Sequence, residues 1–262
     1  MLFLLSPAKT LDYESPLPEV AASEPLFVPQ SVQLIRELRK LNAADVGQLM
    51  DLSQPLARLN VARYKAWRRA PAPAMTRPAV LAFDGAVYGG LSARALAPVD
   101  LVWAQQHLCL LSGLYGVLRP LDRMQPYRLE MGTRLATGRG GNLYQFWGSR
   151  ISEYLNQRLA GEAQPLVVNL ASLEYARAVD RKVLKSPVVD CVFEERRDDG
   201  HYKVISFMAK RARGLMARFA IEQRADTLAT LRNFCAEGYQ YDAAVSDAST
   251  LVFRRAAPPT PR

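Results

Sequence analysis

The run from Leu111 to Gly132, LSGLYGVLRPLDRMQPYRLEMG, sets Arg119, Asp122, Arg123, Arg128 and Glu130 among leucines, tyrosines and methionines. Charges interleaved with that much apolar surface are drawn partly out of water, where each needs a partner or a ligand. Two chemistries suit them: Asp122 and Glu130 can move protons, while Arg119 and Arg128, with Tyr127 between, can position a phosphate or carboxylate. Gly113 and Gly116 permit positive φ, and Pro120 and Pro126 exclude a continuous helix, so the run reads as a shaped loop. Near the N-terminus, SPAKT places Lys9 and Thr10 just after the apolar run Met1–Leu5, an anion seat at the end of a buried strand. Lys9 is a candidate nucleophile or phosphate clamp. Glu174, following PLVVNL with Asn169, Ser172 and Tyr175 around it, is a further acid at a strand end; capping is its alternative role.

Two segments concentrate positive charge. Residues 53–69 carry Arg58, Arg63, Lys65, Arg68 and Arg69 and no acid. Ser53 and Pro55 predict a helix start, Asn42 caps a preceding helix, and the tight Asp51-Leu52-Ser53 turn joins the two. Such a pair within residues 42–69 reads as a helix-hairpin-helix, which presents amides and cations to phosphates, or equally as an ordinary helical pair with a solvated basic face. The second segment, Ala209 to Arg224, carries Lys210, Arg211, Arg213, Arg218 and Arg224 against Glu222 alone. It is the strongest anion-binding candidate in the chain.

These residues must be held by a scaffold. Apolar runs at Met1–Leu5, Ala79–Phe83 and Pro165–Leu170 predict interior strands, and Leu251–Phe253 a closing one. Pro187–Phe193 and Tyr202–Phe207 around the Arg197–Gly200 turn predict a β-hairpin. Leu143–Leu159 predicts one amphipathic helix, and Val87–Gly90 a flexible loop where a backbone approaches closely. The expected fold is α/β (α+β mixed): one compact domain over residues 1–256, with a central mostly buried sheet, surrounding helices and a positively charged cleft. Residues 257–262 are expected to form a disordered tail.

Composition narrows the function classes. Lys and Arg number 34 against 25 Asp and Glu, a formal net charge of +9 at pH 7 that favours nucleic acid or phosphorylated partners. Cys109, Cys191 and Cys235 are too few and too far apart for a disulfide framework, and His107 and His201 do not make a metal motif; neither metal nor cofactor is expected. The N-terminus lacks the charge pattern and length of a signal peptide, and no window approaches the roughly twenty apolar residues that span a bilayer. A cytoplasmic protein is expected.

Assembled, these motifs resemble the YaaA family, the peroxide stress resistance proteins of bacteria. The likeness is carried by LLSPAKTLDYESPL at Leu4–Leu17, SGLYGVLRPLDRMQPYRLEMG at Ser112–Gly132 and YQFWG at Tyr144–Gly148. NLAS and EY within Asn169–Tyr175, ISFMAKRARGLMARF at Ile205–Phe219 and EGYQYD at Glu237–Asp242 extend it over nearly the whole chain. The resemblance implies a cytosolic protein that limits oxidative damage to DNA and proteins, in part by keeping unincorporated iron low, with an unusual α/β fold, a positively charged cleft, a helix-hairpin-helix and DNA binding. Two readings stand at this point. One is weakly sequence-selective DNA binding through Lys9, Arg58, Arg63, Lys65, Lys210, Arg211 and Arg213. The other is an enzyme acting on a nucleotide, nucleic acid or other phosphorylated ligand in the same cleft, with Lys9, Glu130, Asp122 or Glu174 in catalytic roles.

Overall fold

Leu2–Leu5 (β1), buried at all four positions, is the middle of a mixed eight-stranded sheet in the computed structural model, which describes residues 1–256. A short apolar run is stable there because neighbours cover both edges and both faces. On one side β1 pairs in parallel with Leu108–Ser112 (β2), which turns back antiparallel into Gly116–Leu118 (β3). On the other side it pairs in parallel with Val167–Asn169 (β4), Leu4 opposite Asn169. The sheet then continues through Val188–Arg196 (β5), whose far end takes the short antiparallel arm Tyr202–Lys203 (β6). Gln240–Tyr241 (β7) and Thr250–Ala256 (β8) complete the order β7-β8-β5-β4-β1-β2-β3, with β8 parallel to β5.

This order creates a crevice. The next sheet strand after β1 lies on one side of it, the next after β4 on the other, so the loops that follow two adjacent parallel strands diverge at their C-terminal ends. Ser6 follows β1 and Ser172 follows β4, and the two loops meet: the Ser172 N–H donates to Ser6 Oγ at 2.8 Å.

The long helix Ser206–Glu222 closes one side of the crevice by crossing the short helix Ala86–Leu91. Glycines make the crossing. A Cβ on Gly214 would strike the Val87 carbonyl oxygen and lie 2.8 Å from the Leu91 nitrogen, and one on Gly90 would lie 3.0 Å from the Leu215 nitrogen. The backbones approach to a distance that only glycine allows.

A helical pair flanks the central loop. Asn42 caps Ala43–Met50 through a reciprocal box, its Oδ1 accepting from the Asp45 N–H at 3.0 Å and its own N–H donating to Asp45 Oδ2 at 2.9 Å. That helix ends in a left-handed residue, Asp51 at φ 50°, and Gln54–Ala66 follows with Pro55 in its first turn. Arg39 closes the second helix, donating to the carbonyls of Tyr64 at 2.9 Å and Trp67 at 2.6 Å.

Four expectations change. Ala79–Phe83 is not an interior strand: Ala79–Ala82 is one buried helical turn, and Phe83–Asp84 pairs antiparallel with Thr10–Leu11. So short an apolar run fits either state. Val87–Gly90 is not a flexible loop but lies within the helix Ala86–Leu91, stabilised by its packing on Ser206–Glu222. Leu143–Leu159 is two helices, Leu143–Trp147 and Arg150–Leu159, because Gly148 takes φ 51°. The second hairpin arm stops at Lys203, since Phe207 already belongs to the long helix. The expected tail, 257–262, lies outside the described residues.

Candidate functional site

The crevice between the ends of β1 and β4 deepens into a cavity of about 280 Å³. Its walls come from Ser6–Thr10, Asp84–Tyr88, Tyr127–Glu130, the segment from Ser172 to Tyr175, and Lys210 and Arg213 of the long helix. Lys9, Thr10, Arg128, Glu130, Glu174, Lys210 and Arg213, all singled out from the sequence, therefore share one space. Tyr127 and Tyr175 share it too.

Glu130 is the hub of its charges. One carboxylate oxygen lies 2.9 Å from Lys9 Nζ, and the other accepts from the Arg128 guanidinium at 3.0 and 3.2 Å. The Arg128 carbonyl in turn accepts from the Tyr64 hydroxyl, which ties the cavity wall to the basic helix Gln54–Ala66. Glu174 is engaged as well, accepting the Gly132 N–H at 2.9 Å. Its backbone carbonyl accepts the Tyr144 hydroxyl at 3.0 Å.

Arg213 is different. It is half-buried and has no ion-pair partner among the described residues, and its buried Nε has no hydrogen-bond partner. Burial draws its pKa below the ordinary arginine value, because a desolvated cation without a counter-charge is costly. Lys210, one turn earlier and exposed, is likewise without a carboxylate among the described residues. The cavity thus holds two answered cations, Lys9 and Arg128, and two unanswered ones.

Its tyrosines are neutral donors and fixed walls. Burial raises the phenols of Tyr88, Tyr127 and Tyr175 above the ordinary tyrosine value. Tyr88 donates to the Ser6 carbonyl at 3.1 Å, and the Tyr127 hydroxyl lies 2.6 Å from Ser112 Oγ. What the arrangement can do chemically is bind an anion and, through Glu130 and Lys9, move a proton beside it.

Other candidates lie elsewhere. Arg119 grips the fully buried Asp122 with Nε and Nη2, at 3.0 and 2.8 Å, and Ser23 adds a hydroxyl at 2.6 Å. That pair braces the turn after β3. Arg211 is not among the residues that line the cavity and pairs with Glu237 at 2.6 Å. Arg58 and Lys65 are exposed on the Gln54–Ala66 helix, and Arg63 is half-buried beside Tyr64 and Arg128, where desolvation lowers its pKa. Asp84 and Tyr88 line the cavity although sequence reasoning gave them no role. The signal available was the Asp84-Gly85 pair closing an apolar run. Among the described residues no three of His, Cys, Asp or Glu gather as a metal site, and no helix is long and apolar enough to cross a membrane.

Comparison with known proteins gives one answer. A family model described as "Peroxide stress protein YaaA" matches residues 1–245. A UPF0246 protein of Bordetella petrii is 61% identical over 257 residues, covering 98% of this chain and 100% of its own. UPF0246 proteins of Polaromonas naphthalenivorans and Variovorax paradoxus are 60% and 58% identical, each over 97% of this chain and 98% and 99% of their own.

Proposed function

The chain belongs to the peroxide stress protein YaaA family, and on that premise we propose that it limits oxidative damage in the cytoplasm by binding DNA through its phosphates, with weak sequence selectivity. One observation carries the reading. The acid-free helix Gln54–Ala66, exposing Arg58 and Lys65, is fastened through Tyr64 to Arg128, and Arg128 walls the cavity that holds Lys210 and Arg213 without carboxylate partners. Cations so placed flank one loop and suit a phosphate backbone. A lower level of unincorporated iron belongs to the same proposal as a consequence for the cell.

A second reading makes the cavity an active site for a phosphorylated ligand, favoured by the Lys9–Glu130–Arg128 chain at the strand ends, where Glu130 would act as acid or base and Lys9 as clamp or nucleophile. One experiment separates the two. In cells lacking the protein and challenged with hydrogen peroxide, the wild type restores survival and Arg58→Ala with Lys65→Ala does not; full rescue by that variant contradicts the DNA reading. Failure of Lys9→Ala with Glu130→Ala to rescue, with DNA binding intact, selects the second.

A further inference from the structure

We infer that the cavity between β1 and β4 is a pocket for a single nucleotide carrying a terminal phosphomonoester, its phosphate on Arg213 and Lys210 and its base against Phe207. The inference rests on the phosphate-binding reading above and assigns the cavity its ligand class.

Charge comes first. Lys9 and Arg128 are already answered by Glu130, whereas Lys210 and Arg213, three residues apart on one helix face, have no carboxylate partner among the described residues. The unpartnered Nε of Arg213 adds a buried donor that only a ligand or water can satisfy. Two free cations match a phosphomonoester, which carries about 1.5 to 2 negative charges at neutral pH, better than a backbone diester with one.

Size comes second. About 280 Å³ lies near the lower end of small-molecule pockets, roughly 300 Å³ upward. Such a space admits a free nucleotide or the end of a strand, and excludes a duplex. Two exposed apolar residues close to lining residues in the chain supply the third argument. Phe207, 64% exposed, stands one turn before Lys210 on the same helix, and Leu173, 87% exposed, adjoins the wall residues Ser172 and Glu174. An exposed aromatic beside phosphate-binding cations presents a π-face on which a base can stack.

A free nucleotide and a phosphorylated strand end share this chemistry, and calorimetry distinguishes them. The full chain is titrated with AMP, with inorganic phosphate, and with a short single strand bearing either a 5′-phosphate or a 5′-hydroxyl. Duplex binding is followed in parallel. The pocket predicts that AMP or the 5′-phosphorylated strand binds and the 5′-hydroxyl strand binds more weakly; tighter AMP binding marks a free nucleotide as the source, tighter strand binding a strand end. Arg213→Gln lowers affinity for AMP and for inorganic phosphate about tenfold, as loss of a charge-assisted contact does, and Arg213→Lys restores part of it. Phe207→Ala, an exposed change that leaves the fold intact, weakens AMP about fivefold and leaves inorganic phosphate unchanged. Equal AMP binding in wild type, Arg213→Gln and Phe207→Ala overturns the pocket, as does an absence of AMP binding together with indifference of the strand to its 5′-phosphate. Duplex binding without any response to AMP or strand overturns the pocket and spares the DNA reading; AMP binding without duplex binding does the reverse.

Discussion

Arg119 and Arg128 stand nine positions apart in one loop, each with a carboxylate within three residues, yet they end in different environments. Asp122 is fully buried and takes Nε, Nη2 and the backbone N–H of Arg119 together with the Ser23 hydroxyl, so that pair is saturated and structural. Glu130 instead divides its two oxygens between Arg128 and Lys9 at the edge of a cavity. The thiols are sorted in the same way. Burial pushes Cys109 and Cys191 up to about 12, which keeps them protonated and unreactive, while Cys235 is exposed. Iodoacetamide at neutral pH is therefore expected to modify Cys235 alone in the folded protein, and all three cysteines after denaturation; peptide mapping that found Cys109 or Cys191 alkylated in the native state would contradict this. Residue types and the ends of apolar runs pointed to Lys9, Glu130, Glu174, Lys210 and Arg213 in the sequence. Which cations are neutralised was not legible, because Glu237 answers Arg211 from 26 residues away and Glu130 answers Lys9 from 121.

The helix Ser206–Glu222 does for the site what spacing alone could not reveal: it carries Lys210 and Arg213 to the end of a sheet whose nearest strand along the chain, β6, is not part of the crevice. Its position depends on Gly90 and Gly214. Gly214→Ala forces a Cβ against backbone atoms on the neighbouring helix, an overpacking cost near the upper end of about 1–3 kcal/mol, offset by about 1 kcal/mol of helix propensity. The expected net loss is about 2 kcal/mol, read as a lower urea midpoint at unchanged slope; a midpoint equal to or above wild type would show that the crossing is not tightly packed. The close approach of Gly90 was legible as a place where backbones meet, but its helical state was not. A six-residue apolar segment with two glycines has no intrinsic helix preference, and tertiary packing decided it. The same limit applies to Ala79–Ala82, whereas Asn42 and Pro55 announced the helical pair because helix-start chemistry is local; Ser53 stands at the N-cap position of the second helix without a side-chain capping bond.

Across the whole molecule, the surplus of nine positive charges is not spread evenly. Much of the arginine content is structural: Arg255 on β8 joins Glu195 on β5 and Glu237, Arg254 joins Glu194 and Asp242, and Arg39 closes a helix. Among the cations without a carboxylate partner in the described residues, Arg58, Arg63 and Lys65 stand on the Gln54–Ala66 helix, and Lys210 and Arg213 at the cavity on the ends of β1 and β4. A central sheet with buried strands was legible from the apolar runs; its strand order, and with it the crevice between β1 and β4, follows from pairings between segments more than a hundred residues apart and carries no local signal. Titration of a fluorescent DNA duplex at several salt concentrations tests the central claim, DNA binding through phosphates, most directly. The account predicts saturable binding whose log affinity falls linearly with log salt, by about 0.9 per phosphate contact, and a slope shallower by about two in Arg58→Ala with Lys65→Ala. Affinity indifferent to salt, or a variant indistinguishable from wild type, would contradict it.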